Sequence, residues 1–301
     1  MTSAPFVVVG EALVDVVVPL QGEPTHAAGG SPMNVAVGLS RLGVPALLVT
    51  ELGDDAHGEL VLEHLRASDV ALAPGSVRSG HRTSTATARL GADGAARYEF
   101  DLTWELASAA LPPAMSGLHV GSLGTALAPG RETVLELLDQ AAGRDVLVTY
   151  DPNVRAGLLP TWHDVAQVAA DADVVKMSDE DLALLRPEES VQGVAREVLA
   201  NGRTRLVVVT RGGEGALAFT AHDQVQVMAP RTDVVDTVGA GDSFMAALIA
   251  VLLDWGSPTE LSPERLRVLL ESAARAAAVT VGRRGANTPT RAELPAGWGE
   301  S

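Results

Sequence analysis

The chain predicts an α/β fold, a doubly wound and mostly parallel sheet with helices on both faces, and three observations predict it. Short runs that are apolar throughout alternate with longer stretches whose apolar residues fall three to four apart. Glycine-rich turns follow several of the apolar runs, at the strand ends where such sheets collect ligands. One region instead alternates with a period of two, which adds a small β-sheet to the main one.

Residues 6–10 open the chain with Phe-Val-Val-Val, a run with no polar face and therefore a strand buried on both sides. Residues 46–51, 118–121, 145–150, 173–176 and 206–210 read alike. Between them, 32–42, 56–67, 131–142, 162–170 and 191–200 carry the helical spacing, with Pro or Gly near several ends. A last helix over 240–253 is almost wholly apolar and too short to span a bilayer. Residues 83–90 alternate small polar and apolar side chains, turn through Gly91-Ala92-Asp93-Gly94 and return over 95–101 as a hairpin. With 13–18 this hairpin forms either a small sheet projecting from the body or an edge of the main sheet.

At 301 residues and 47% hydrophobic content the chain buries a large core, as a single domain over 1–301. A net charge of −16 opposes nucleic acid or an anionic membrane surface as partner, because phosphate contacts need clustered cations. A nucleotide would need its charge neutralised locally by magnesium, arginine and backbone N–H groups. The single lysine, Lys176, stands outside any Gly-x4-Gly-Lys-Ser/Thr loop, which excludes a P-loop site. With no cysteine there is no disulfide framework or thiolate site, which fits the cytoplasm. The N-terminal apolar run lacks a basic flank and is interrupted by Glu11 and Asp15, against a signal peptide. The seven histidines, among them His57, His64 and His119, show no metal-ligand spacing and read as solvated or core residues.

The most informative stretch is Asp236-Thr237-Val238-Gly239-Ala240-Gly241-Asp242-Ser243-Phe244. A Gly-Ala-Gly turn at a helix start leaves backbone N–H groups uncovered and makes an anion site. Asp242 at its edge is either the helix cap or a base able to take a proton from a nearby hydroxyl. Anion hole plus base points to phosphoryl transfer to an alcohol.

That nonapeptide resembles the C-terminal signature of the ribokinase-like (pfkB) carbohydrate kinases, closest to bacterial fructokinases, and the resemblance covers nearly the whole chain. It implies a ribokinase-like fold with a lid of residues about 11–19 and 78–104, an ATP-dependent sugar kinase, and Gly239, Ala240 and Gly241 as the anion hole with Asp242 as base. Gly29-Gly30-Ser31-Pro32-Met33-Asn34, followed by Leu42-Gly43, resembles the N-terminal signature. It implies sugar contacts at Gly29, Gly30 and Asn34, with Asp15 as the early sugar-binding carboxylate. Asp151-Pro152-Asn153-Val154-Arg155 follows a strand, so Arg155 could hold phosphate or substrate oxygens, although turn chemistry alone also explains the segment.

Lys176-Met177-Ser178-Asp179-Glu180-Asp181 falls where many members carry Asn-x-x-Glu, with Ser178 in place of Asn. Either Glu180 or Asp181 would serve magnesium, indirectly, while Ser178 equally reads as a helix cap. Thr210, Gly212 and Gly215 in the Gly-rich turn after a strand resemble the nucleotide loop, and the resemblance extends the ATP site to Lys176, Ser178 and Ser272. The resemblance also implies a potassium ion beside the hole, held by backbone oxygens near Asp236, Val238 and Gly285. Trp104 and Phe100 either wall the sugar pocket or belong to the core.

Within the resemblance, fructokinase is favoured over ribokinase by the early Gly-Glu-Ala-Leu-Val-Asp string, by the Asp-Pro-Asn-x-Arg segment, by Ser178 and by the closing Gly285-Ala286-Asn287. A 2-keto-3-deoxygluconate kinase would need a carboxylate partner such as Arg97-Tyr98 or Arg155. Ribokinase, a nucleoside kinase and a sugar-sensing protein without turnover are the other readings. Family resemblance also implies a homodimer through the lid.

Overall fold

The computed structural model describes residues 4–91, 96–106, 109–155, 157–158 and 160–300. In chain order the first half gives β1 (Phe6–Val9), β2 (Leu13–Val18), β3 (Thr25–Gly29), α1 (Ser31–Arg41), β4 (Ala46–Val49), β5 (Leu52–Gly53), α2 (Ala56–Ala67), β6 (Ala71–Leu72), β7 (Val77–Arg78), β8 (Thr85–Leu90) and β9 (Ala96–Asp101). The second half gives β10 (Gly117–Gly121), α3 (Gly130–Ala142), β11 (Leu147–Asp151), α4 (Trp162–Ala170), β12 (Val174–Ser178), α5 (Asp179–Leu185), α6 (Val191–Ala200), β13 (Leu206–Thr210), β14 (Ala216–Phe219), β15 (Gln224–Val227), α7 (Ala240–Asp254) and α8 (Pro263–Val281).

Among the described residues the main sheet runs β15-β14-β13-β12-β11-β10-β1-β4-β6. It is parallel from β6 through β13 and closes with an antiparallel β13-β14-β15 edge. The all-apolar strands follow from this architecture, since alternate side chains point to opposite faces and both faces are covered. Phe6 and Val8 join a core with Met33 and Leu39 of α1, Leu248 of α7 and Leu269 of α8. Val7 and Val9 join the opposite core with Val134 of α3, Val165 of α4 and Val194 of α6.

Helix α7 is apolar all round because it is covered all round: Met245 through Leu252 are buried. Its contact with α1 is close enough that a Cβ on Gly38 would lie 2.6 Å from Ala246 Cβ.

The second sheet runs β3-β2-β8-β9, with β2 and β8 parallel, and is separate from the main sheet. Val14 and Val16 turn one face of it into the body core, and Asp15, between them, turns to the other. The hairpin therefore belongs to a small sheet and not to an edge of the main one. Strand β3 joins it unforeseen, because Thr25-His26-Ala27-Ala28 has neither alternation nor a β-branched run. Residues 92–95 of the hairpin turn lie outside the described residues. Helix α8 is also absent from the sequence reading, although Ser262 accepts a hydrogen bond from Arg265 N and Pro263 occupies the first turn, a legible start signal. Among the described residues no helix is long and apolar enough to cross a membrane.

Candidate active site

The N-termini of α1 and α7 meet at Asp242. Ser31 Oγ donates to Asp242 Oδ1 at 2.6 Å and Asn34 Nδ2 donates to Asp242 Oδ2 at 2.8 Å. Each carboxylate oxygen thus takes one side-chain donor from α1, and Asp242 is only 7% exposed. Asn34 Oδ1, in contrast, is buried with no partner, an acceptor free for a ligand hydroxyl. Gly30 begins α1 at φ 111° and passes so close to Glu11 that a Cβ would lie 2.5 Å from its carbonyl oxygen.

At the head of α7, Gly239 adopts the left-handed conformation at φ 76°, and a Cβ there would lie 2.5 Å from Ala286 Cβ. The N–H groups of Gly239, Gly241 and Asp242 have no acceptor among the described residues. That of Ala240 donates to Thr237 O at 3.2 Å, so the resting turn exposes the two glycine donors and not all three of the expected ones.

Lys176 comes up from β12 beneath this turn. A Cβ on Gly241 would sit 3.0 Å from Lys176 Nζ, so glycine there lets the ammonium lie against the helix start. Lys176 Nζ donates to Asp151 Oδ2 at 2.6 Å, both side chains buried. Burial opposes the lysine's charge, but Asp151, with Asp181 and Asp242 behind it, raises its pKa and keeps it cationic.

Asp181 closes a capping box with Ser178 and accepts Val154 N and Ser178 N at 2.7 Å each. Both its oxygens are therefore taken, and Ser178 is a helix cap. Glu180, one residue earlier, is exposed. On the other side Asp236 accepts Val238 N at 3.1 Å and Gly285 N at 2.9 Å, which draws the expected potassium loops together. The Gly285 carbonyl itself accepts Asn287 N at 2.7 Å.

The small sheet supplies Asp15. Burial raises its carboxyl above the usual carboxylate range, Arg155 opposing and Asp242 adding to the shift. A Cβ on Gly29 would collide with Asp15 Oδ2, so that glycine clears space for the carboxylate. Arg155 is exposed, and its charge reaches both Asp15 and Glu11. Glu11 is buried and accepts Gly124 N at 3.1 Å, and its burial pushes the carboxyl up to about 7. Trp104 belongs to the core, donating from Nε1 to Gly124 O at 3.0 Å. The side chains of Arg97 and Tyr98 lie outside the described residues.

The turn Gly212–Glu214 joins β13 to β14. Gly212 and Gly213 face open space, while Gly215, at φ 93°, packs on the backbone of Val227 and Met228. Thr210 Oγ1 donates to Met177 O at 3.4 Å. Ser272 is buried inside α8, where its carbonyl accepts Trp298 Nε1 at 2.8 Å.

Sequence reasoning missed Ser31, Asp151 and Glu11 as members of the site. Each stands inside a motif read for its neighbours, and only tertiary contact reveals its partner. It also missed the exposed apolar run Met228, Val234, Val235 and Val238, between β15 and α7, for which a period-based reading has no template.

A glycine-headed helix with a buried carboxylate at its start, under the strand ends of a doubly wound sheet, defines a phosphoryl-transfer site. Residues 4–293 match the model of the pfkB family carbohydrate kinases, and the chain belongs to that family. It is 36% identical over 258 residues to a fructokinase of Rhizobium leguminosarum bv. trifolii, covering 81% of this chain and 78% of that one. It is 31% identical over 306 residues to probable fructokinase-4 of Arabidopsis thaliana, covering 95% and 94%. Among solved structures, the aminoimidazole riboside kinase of Salmonella enterica superimposes with a TM-score of 0.78 at 26% identity, covering 94% of this chain and 95% of that one.

Proposed function

We propose that this chain is an ATP-dependent fructokinase, passing the γ-phosphoryl group of ATP to the primary hydroxyl of D-fructose and releasing fructose 6-phosphate and ADP. The observation that carries the reading is the Asp242 carboxylate, held by Ser31 and Asn34 on the first turn of a helix with unpartnered N–H groups. Fructose as acceptor is supported by the names of the relatives at 31–36% identity.

Asp242 takes the hydroxyl proton as the sugar oxygen bonds to the γ-phosphorus and the bond from phosphorus to the bridging oxygen breaks. The Gly239 and Gly241 N–H groups take up charge on the transferring group, with Ala240 released from Thr237 to join them, and the Lys176 ammonium adds its field. Asp15, Asn34 and the backbone at Gly29 and Gly30 orient the sugar, and Arg155 stands at the rim of that pocket. Thr210, Gly212 and Gly215 lie along the nucleotide side, where the exposed run Met228 to Val238 offers apolar surface to the base. Magnesium, where bound, would supply positive charge to neutralise the phosphates. Glu180 fits it through water better than Asp181, whose oxygens are already hydrogen-bonded. Backbone oxygens of Asp236, Val238 and Gly285 would hold potassium beside the hole.

Two copies would pair through the small sheet, whose Asp15 face also carries the exposed Val17 and Phe100. Dependence on ATP, with no cysteine to oxidise, supports a cytoplasmic location.

The test is ADP release with magnesium and potassium across fructose, ribose, 2-keto-3-deoxygluconate, a nucleoside and a no-sugar control. Selectivity for fructose is expected. Preference for another acceptor would overturn the substrate, and sugar binding without turnover would overturn the enzyme.

A further inference from the structure

His26 on β3 and His57 on α2 face each other across the seam between the small sheet and the body. His57 Nε2 lies 3.2 Å from His26 Nδ1, and the ring centroids are 5.2 Å apart at 34°. His26 is exposed and His57 half-buried, so solvent reaches the pair. Two imidazole nitrogens bound at about 2.0–2.1 Å to one tetrahedral ion stand about 3.3 Å apart, so the observed spacing is already that of two ligands of a single metal.

We propose that His26 and His57 form a transition-metal site for zinc, nickel or copper that fastens the small sheet to the body, with water completing the coordination. Binding turns the two rings so that their facing lone pairs converge on the ion, off the line that joins the nitrogens. The donating ring moves its proton from the facing nitrogen to its opposite one, and both facing nitrogens then present lone pairs. Magnesium, which takes oxygen ligands, does not compete for the site. Because β3 runs directly into Gly29 and Gly30, and β2 beside it carries Asp15, the bound ion holds the sugar-binding strands against α2.

A second grouping, Glu51, His81 and Glu105, also brings ligand atoms together. There the Arg78 guanidinium already sits 2.6 Å from Glu51 and 2.8 Å from Glu105, so the cation position is filled by the protein. The two groupings separate by mutation.

Calorimetric titration of the nucleotide-free, sugar-free protein with zinc chloride, repeated with nickel chloride, tests the assignment independently of kinase activity. His26→Ala and His57→Ala should each weaken the tightest binding event at least tenfold, while His81→Ala leaves it unchanged, with circular dichroism confirming the fold of each. Unchanged affinity in the His26 and His57 variants, or loss confined to His81→Ala, would overturn the proposal. With free zinc buffered and magnesium-ATP in excess, zinc should slow turnover of the wild type and spare His26→Ala. Equal slowing of both would overturn the fastening role.

Discussion

The carboxylate of Asp242, on the body, receives a side-chain hydrogen bond on each oxygen, whereas that of Asp15, on the small sheet, receives none among the described residues. The same contrast holds around them. Lys176, Asp151, Asp181 and Ser178 form a closed set of ion pair and caps at the ends of β11 and β12. On the sugar side Asn34 Oδ1 is unpartnered, Arg155 is exposed, and Glu11 is buried at the cost of its ionisation. On the proposed assignment the phosphoryl-transfer side is preorganised, and the sugar side keeps its polar groups unspent for a ligand to complete. A phosphate group is the same in every reaction of the class, so its site can be built rigidly. The acceptor is where selection takes place.

The contrast predicts a graded set of losses. Asp242→Asn should lower kcat by about 10²–10⁴-fold, the usual worth of a positioned base, while fructose binding by calorimetry stays within a few fold. Near-normal turnover would break the assignment of the preorganised side. Lys176→Met leaves the buried Asp151 without its partner, and should cost about 3–5 kcal/mol of stability in denaturant titrations, with turnover falling as well.

Glu11→Gln sharpens the comparison through pH. The folded carboxyl titrates near 7, and an unfolded one at its ordinary value of about 4.5. Between those values the unfolded chain has lost the proton and the folded chain keeps it, so this group's contribution to stability falls as pH rises and levels off above 7. Glutamine cannot ionise, so the variant should gain on the wild type by about 3 kcal/mol between pH 4.5 and 8. A constant difference across that range would show that Glu11 is not held protonated. The smallest effect is expected at Asp15→Asn, which keeps the shape and removes an exposed-to-ligand charge. Its KM for fructose should rise by about 10-fold or more with kcat changed less, because the loss falls on sugar binding.

Much of this was legible in the chain. Strands β1, β4, β10, β11, β12 and β13 were readable because double-sided burial leaves mostly apolar runs, and α2, α4 and α6 because their faces repeat every three to four residues. Strand β3 was not, since it lacks any pattern of its own and pairs only because β2 lies beside it, while helix α8 went unread despite its Ser262-Pro263 start. Within the site, the glycine-headed start of α7 and its carboxylate are local chemistry and were visible as such. Ser31 and Asp151 were in view as letters, but their partners lie 211 and 25 residues away.

By itself, then, the sequence determined the doubly wound class, the helix-start anion turn and the carboxylate beside it, because propensity, periodicity and turn geometry act over a few residues. The tertiary structure alone decided which oxygens of Asp242 and Asp181 are already taken, that Lys176 lies under Gly241, that Trp104 packs inside, and that two histidines 31 residues apart meet across a seam. Those outcomes depend on which strand ends lie side by side, and long-range packing settles that rather than any window of the chain.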